Sequence, residues 1–528
     1  MNHLIADMPV YAAPTATVFE DMPAKMRRLA TGQPEALAVT DDHGTWTRRE
    51  LMAQAHRIAN RLIACGLQRG DTVAVLASNS REYIALLTGT LAAGGCIVPL
   101  SGLATGDTLA LMIDDCDTRF LFCDRHYGES LPALPQIPAG HRVLLDSNTD
   151  AHGALALSHW LGDAADTAPD IPLTEDDAFN IIYSSGTTGR PKGIVHDHRL
   201  RAHQYDRFVK MGFVPGCVTL LATPIYSNTT MVALLPTLQG GGHVILMGKF
   251  NAAGYLALAE KYRVTHTILI PVQYQRILAE AAFDRTDLSS FKLKMSSGAP
   301  LRSPVIRDLV ARWPGTLVEI YGMTEGGGST VLNCTAFPDK WDSVGQAGEG
   351  TTLHVIDEQG NILPPNTAGE LVGRGGTMMR GYYKRPDQNE EIVWRDTDGQ
   401  VYFRTGDMAR IDEQGFVYLL DRRKDMILSG GFNIYAEDLE KVLATHEAVA
   451  DVAVIAVPSD AWGETPYGIV VLNTGAAVTE AELLGWANER LGKTQRLSAI
   501  EFRDELPRNP LGKIMKRELR APFWDNDV

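Results

Sequence analysis

The 528-residue sequence predicts an α/β protein with parallel-type sheets covered by helices, a barrel-like β segment, and a small α+β unit at the C-terminal end. Three observations predict it: helical and strand patterns alternate through most of the chain, the texture changes after about residue 342, and a charged cluster at 421–425 separates two apolar runs. Residues 48–65 carry Leu51, Ala55, Ile58 and Leu62 at helical spacing, and 72–77 is a short β-rich run. The order helix, strand, helix, strand repeats at 81–93, 96–100, 106–114 and 119–123, which calls for parallel pairing with helical crossovers. Residues 244–247, 267–270 and 317–321 read as further buried strands. From about 342 glycines multiply and short β runs replace helices at 352–356, 369–374 and 402–410, which suggests a barrel-like unit over 342–420. The domain boundary therefore falls at 421/422. Residues 422–528 hold a helix (436–445), a strand (449–457), a helix (480–491) and a strand near 500–503, a domain-sized α+β unit.

Bulk properties narrow the function. Apolar residues make up 45% and charged residues 21%, enough for sizeable cores. The balance of 49 basic and 64 acidic residues, net −15, excludes a broad nucleic-acid or anionic-membrane footprint. The six cysteines are scattered without zinc or redox spacing, which suits free thiols in a reducing cytoplasm. The most apolar stretch, 83–98, is too short and too interrupted by glycine for a membrane span, and reads as a buried helix, a glycine break and a strand. A homodimer is compatible with all of this.

The chemistry concentrates in Tyr183-Ser-Ser-Gly-Thr-Thr-Gly-Arg-Pro-Lys-Gly193, just after the apolar run 179–182. Gly186 and Gly189 allow tight turns with inward N–H groups; Ser184, Ser185, Thr187 and Thr188 add hydroxyls; Lys192 adds a compact positive charge. Such a loop holds polyphosphate. It is not G-x-x-x-x-G-K-[ST], because Gly193 follows Lys192. Two other segments read as structure: His196-Asp-His198 lacks a third metal ligand and is taken as a polar segment, and Gly240-Gly-Gly242 as a helix-to-strand turn.

The ordered string 183–193 resembles the nucleotide-phosphate signature of the adenylate-forming superfamily, in the branch of AMP-dependent acid:CoA ligases. The resemblance continues in family order over nearly the whole chain through Ser297-Gly-Ala-Pro-Leu301, Ile320-Tyr-Gly-Met-Thr-Glu325, Tyr402-Phe-Arg-Thr-Gly-Asp-Met408, Gly415 to Asp425, and Pro507-Arg-Asn-Pro-Leu-Gly-Lys513. It implies a large N-terminal domain of two sheet subdomains plus a distorted barrel (1–421) and a small mobile C-terminal domain (422–528). It also implies roles. Gly298, Ala299 and Pro300 would lie along adenine, Tyr321 would stack on it, and Gly322 would admit its close approach. Thr324 would donate to the α-phosphate and Glu325 would ligate Mg²⁺. Asp407 would hold ribose, Arg422 would reach ribose or phosphate, Lys424 would be the pivot, and Gly430, Gly431 and Phe432 would line the CoA tunnel. Lys513 would bridge the attacking carboxylate and the α-phosphate.

For the acid, Pro224-Ile-Tyr-Ser-Asn228 resembles the family's acyl-pocket wall, with Tyr226-Ser227 where many members have Phe-His. Ser227 carries no charge to pair an α-ammonium group, which argues against amino acids. Tyr226, Gln273, Tyr274, Met295, Gly322 and Met323 suit an aryl or medium-chain acyl group. The expected substrates are a carboxylic acid, ATP and coenzyme A, with Mg²⁺. The competing readings are a stand-alone adenylating enzyme loading a carrier protein, a luciferase-like oxygenase, and a catalytically dead regulator. The last would predict loss of Glu325 or Lys513, and both are present.

Overall fold

The computed structural model describes residues 8–9, 19–131, 134–151, 153–184, 191–422, 425–429, 432–508 and 512–524. The chain divides into two compact units: 1–341 with 348–352 and 373–403, and 342–347 with 353–372 and 404–528.

The first unit is built on two mostly parallel sheets. One orders its strands Thr330–Asn333, Thr316–Tyr321, Leu293–Ser296, His266–Leu269, Val218–Leu221, His243–Leu246, Leu37–Asp41 and Gly44–Thr47. Its outer pairs, Thr316–Tyr321 with Thr330–Asn333 and Leu37–Asp41 with Gly44–Thr47, are antiparallel, and the pairs between them are parallel. The other orders Gly381–Tyr382, Lys192–Asp197, Ala178–Ser184, Cys96–Pro99, Thr72–Leu76, Phe120–Cys123, Arg142–Leu144 and Leu155–Ala156. Thr72–Leu76, Cys96–Pro99 and Phe120–Cys123 are buried at every residue. Strands covered on both faces read as unbroken apolar runs, which is why they stand out in the sequence.

Helices cover these sheets. Arg48–Ala64 starts with a capping box in which Thr47 accepts from Glu50 N and the Glu50 carboxylate accepts from Thr47 N. It packs on Arg81–Ala92, which is apolar on nearly all faces and correspondingly buried. Gly89 permits the close crossing: a β-carbon there would stand 2.6 Å from the Ala55 carbonyl oxygen. The stretch 83–98 is, as expected, this helix, a glycine break and a strand; 240–242 is, as expected, the turn between Asn228–Gln239 and His243–Leu246. Among the described residues no helix is long and apolar enough to cross a membrane.

In the second unit, the part of Val401–Ile411 from Arg404 onward pairs antiparallel with Val417–Arg422. Val449–Ser459 and Gly463–Leu472 form a long antiparallel pair, Ala499–Phe502 adds to it in parallel, and the hairpin Ile427–Ser429/Phe432–Ile434 joins its edge. Helices Ala436–Leu443 and Glu480–Arg490 cover one face through Leu439, Leu443, Leu483 and Ala487 against Val452, Val454 and Val470. Leu506 and Leu519 cover the other face at Ala453, Ile455 and Ile469. The sequence reading misses Gly463–Leu472. That strand contains Pro466 and Gly468, both of which argue against a strand by pattern, and it is held by its pairing instead.

Candidate active site

The phosphate-type loop is closed by its own ladder. Ala178–Ser184 enters and Lys192–Asp197 returns antiparallel, with Tyr183 opposite Gly193 and Ser184 opposite Lys192. Glycine is required on the return strand, because a β-carbon at Gly193 would meet Ile181 at 2.8 Å and the Tyr183 ring at 3.3 Å. Tyr183 donates to Asp115 Oδ2 at 2.8 Å, and burial pushes its hydroxyl pKa up, so it stays a neutral donor. Of the expected loop residues, Ser184 and Lys192 are placed; Ser185, Gly186, Thr187, Thr188 and Gly189 lie outside the described residues.

Thr324 and Glu325 sit in the connection between Thr316–Tyr321 and Thr330–Asn333, which closes where Tyr321 faces Thr330. Two backbone contacts pin this turn. Met379 N donates to the Glu325 carbonyl at 2.9 Å, and His196 Nε2 lies 2.7 Å from the Thr324 carbonyl. Burial, followed by the Arg201 charge, holds the His196 pKa well below its ordinary value, so the ring is neutral. A carbonyl only accepts, so Nε2 carries the proton and Nδ1 accepts from Arg201 Nη2 at 3.0 Å and Asn180 Nδ2 at 3.1 Å. Burial also pushes the Arg201 pKa down to about 9. His196 is thus an inward-facing strand residue that supports the Thr324 turn. Gly326 follows at φ +74°, where a β-carbon would overlap the Thr377 carbonyl at 1.7 Å. The Glu325 side chain is half-buried; Oε1 accepts from the Tyr382 hydroxyl at 2.8 Å, and Oε2 has no partner among the described residues. A hard carboxylate oxygen left available on a fixed side chain fits a Mg²⁺ ligand.

The expected adenine segment follows Leu293–Ser296. Ser297 Oγ donates to the Ile320 carbonyl at 2.9 Å, tying it to the strand that ends in Tyr321. Gly298, Pro300 and Gly322 are exposed, while Ala299, Tyr321 and Met323 are half-buried.

The expected acyl-pocket residues divide. Ser227 is buried and caps Asn228–Gln239 by accepting from Thr229 N at 3.2 Å. Tyr226 is half-buried, and burial raises its hydroxyl pKa. Gln273 bonds to Ile270 N and the Ala222 carbonyl. Tyr274 and Met295 are fully buried: the Tyr274 ring lies against Trp313 and its hydroxyl donates to the Met295 carbonyl at 2.8 Å. The Tyr274 ring belongs to an aromatic cluster around Trp313 with Tyr255, Phe283 and Phe291.

In the second unit, Asp407 and Arg422 face each other across the ladder and form an ion pair at 2.6 Å, with Asp407 buried and Arg422 half-exposed. Asp421 accepts from Arg422 N and Ala436 N, both at 2.7 Å, and burial raises its pKa to about 6. Phe432 is exposed in its hairpin; Gly430, Gly431 and Lys424 lie outside the described residues. Lys513 is exposed, one residue before Ile514, which bridges to Arg508.

A family model described as AMP-binding enzyme matches residues 26–383, and one described as AMP-binding enzyme C-terminal domain matches 438–513. The chain belongs to the AMP-binding enzyme family. This AMP-binding enzyme is 33% identical over 507 residues to a feruloyl-CoA synthase from Amycolatopsis sp, covering 94% of this chain and 98% of that one. It is 30% identical over 510 residues to a fatty acid–[acyl-carrier-protein] ligase from Streptomyces coeruleorubidus, covering 94% and 96%. Among solved structures, ATP-bound MatB from Rhodopseudomonas palustris superposes with a TM-score of 0.85 at 31% identity, covering 96% of this chain and 99% of that one. The motifs carry the family, but the sequence shows His196 only as part of a polar segment and does not mark Tyr382 at all, because their partners lie 128 and 57 residues away.

Proposed function

We propose that this AMP-binding enzyme is an AMP-forming acid:CoA ligase. The observation that carries the proposal is the fixed Thr324-Glu325 turn in the same unit as Lys192, with Glu325 presenting one carboxylate oxygen that has no partner among the described residues. In the first half-reaction an oxygen of the acid attacks the α-phosphorus of ATP; that O–P bond forms, the bond to the bridging oxygen of pyrophosphate breaks, and acyl-AMP results. Lys192 neutralises the departing phosphates, and Thr324 donates to the α-phosphate. Glu325 would hold Mg²⁺, which shields phosphate charge when bound. Asp407 accepts from ribose hydroxyls and Arg422 orients it. Lys513 stands between two anions that repel, where a positive charge lowers the barrier most. In the second half-reaction the sulfur of CoA bonds to the acyl carbonyl carbon, the bond from that carbon to the AMP phosphate oxygen breaks, AMP leaves, and the thiol proton passes to solvent. Lys424 is the pivot by which the C-terminal domain, from about residue 422, exchanges the two half-reactions.

The acid is aryl or medium-chain acyl. Ser227 offers no countercharge for an α-ammonium group, and one 33%-identical relative is a feruloyl-CoA synthase. The carrier-protein ligase among the relatives favours one second reading, in which the acceptor thiol is the phosphopantetheine of an acyl carrier protein. The six free cysteines suit a cytoplasmic enzyme. The test is AMP and pyrophosphate release over a panel of hydroxycinnamic, benzoic, medium-chain and amino acids, with CoA, with holo carrier protein, or with neither. CoA-stimulated AMP release with an aryl or medium-chain acid is expected. Stimulation by carrier protein alone moves the assignment to the second reading, and turnover confined to amino acids overturns both.

A further inference from the structure

Tyr382 touches both charged groups of the phosphate-handling machinery placed in the first unit. Its hydroxyl donates to Glu325 Oε1 at 2.8 Å, and Lys192 Nζ lies 5.0 Å from its ring centroid, within cation–π range. The residue is 7% exposed and packed among Ile194, Met378, Met379 and Phe403. A hydroxyl in such company costs stability unless it is paired, so its bond to a carboxylate is a built feature of the site.

The backbone holds the ring where both contacts are made. Gly381 and Tyr382 form a short antiparallel pair with Val195 and Ile194, on the strand that begins at Lys192. Arg380 N donates to the Val195 carbonyl at 2.9 Å and Tyr383 N to the Gly193 carbonyl at 2.8 Å, extending the register on both sides. Asn389 clamps Tyr382 from outside, accepting from its N–H at 2.6 Å and donating to its carbonyl at 3.1 Å. Gly381 sits at φ +143°, where a β-carbon would stand 2.9 Å from the Asn389 amide. Tyr382 is therefore aimed from the phosphate loop's own return strand, while the Glu325 turn is pinned two ways, at Met379 and at His196.

We propose that Tyr382 is a positioning residue that couples the loop lysine to the metal-ligating carboxylate: its hydroxyl orients Glu325 so that the second oxygen faces the metal, and its ring seats the Lys192 ammonium. This rests on the reading of Glu325 as a Mg²⁺ ligand. The coupling makes one side chain responsible for two separable effects. Removing the hydroxyl alone loosens the carboxylate and leaves the cation–π seat; removing the ring loosens both.

The experiment compares full-length Tyr382→Phe, Tyr382→Leu and Glu325→Gln with the wild type. Pyrophosphate release is titrated with Mg²⁺ at fixed ATP, and the gain in thermal midpoint is read with ATP plus Mg²⁺ and with ATP plus EDTA. Tyr382→Phe is expected to raise the half-activating Mg²⁺ concentration about 10-fold, the scale of a hydrogen bond to a charged group. It should lose most of the Mg²⁺-dependent thermal gain and keep the gain that ATP produces in EDTA. Tyr382→Leu should lose that second gain as well. Wild-type Mg²⁺ dependence and thermal gain in Tyr382→Phe, with both shifted in Glu325→Gln, overturns the proposal and leaves Tyr382 as packing. Wild-type behaviour in Glu325→Gln overturns the metal reading itself and the proposal with it. Equal ATP gains in EDTA for the Phe and Leu variants overturn the Lys192 half of the coupling.

Discussion

Two loops in this protein end in a lysine, and they are built differently. In the first unit the strands that flank 185–191 pair antiparallel, and Lys192 is inside that ladder, opposite Ser184, half-buried, with its ammonium over the Tyr382 ring. The second unit closes 509–513 with a single bridge, Arg508 to Ile514, reinforced by Met515 N donating to the Pro507 carbonyl at 2.8 Å and by an Arg508–Asp451 ion pair. Lys513 is the residue before the bridging Ile514 and is exposed. A lysine inside a ladder is oriented before any substrate arrives. A lysine outside one takes no orientation from strand pairing. The difference matches the two proposed duties, one holding polyphosphate and the other serving a single half-reaction.

The sharpest way to break this comparison is Lys513→Ala. Adenylation should fall about 10²-fold or more, the scale for removing a group that stabilises developing charge, while supplied acyl-AMP plus CoA still yields thioester. Measuring each half-reaction separately checks it; equal losses in both would erase the distinction between the two lysines. Lys192→Ala should act more mildly, raising KM for MgATP about 10-fold with KM for the acid unchanged, since the lost contact is one charge-assisted interaction with phosphate. Steady-state kinetics with each substrate varied decides it, and a shift confined to the acid would remove Lys192 from phosphate handling.

The smallest expected effect contrasts the units through pH. In the first unit burial lowers His198, His243 and His266 to about 4, and lowers His196 well below its ordinary value. Between those values and 6.5 the unfolded chain binds more protons, so these groups make stability rise with pH and fall on acidification. Asp124 and Asp197, raised by burial, run the other way and temper the slope. In the second unit burial raises Asp421 to about 6 and Glu437 to about 7. There the folded state binds more protons from about pH 4 upward, so stability falls as pH rises toward 7. Both groups contribute to that slope, Glu437 despite its ion pair with Lys441. Amide exchange should therefore show His266–Leu269 losing protection relative to Val449–Ser459 between pH 6.5 and 4.5. Parallel changes in the two strands would contradict it.

Much of the fold is legible in the sequence because parallel strands covered on both faces leave uninterrupted apolar runs, as at Thr72–Leu76 and Phe120–Cys123. Gly463–Leu472 is illegible for the converse reason: neighbouring strands on both sides hold it, and its own residues argue against it. The site follows the same division. Lys192, Thr324, Glu325, Asp407 and Lys513, the proposed contacts to phosphate, metal and ribose, are readable because each lies in a short contiguous motif. Tyr274 and Met295 carry no local mark that separates a pocket wall from a core; the structure buries both, with the Tyr274 ring against Trp313 and its hydroxyl on the Met295 carbonyl.

The sequence by itself determined the alternation of helix and strand, the family, and the candidate groups for handling phosphate, because these depend on spacing along the chain. Only the tertiary structure decided how those groups are held. His196 reaches the Thr324 carbonyl and Tyr382 reaches Glu325 because the sheet sets Gly381–Tyr382 beside Lys192–Asp197 and brings the 322–329 turn against them. Hydrogen bonds act over about 3 Å and take no account of sequence separation, so a residue's partner 57 or 128 positions away leaves no trace in its neighbours.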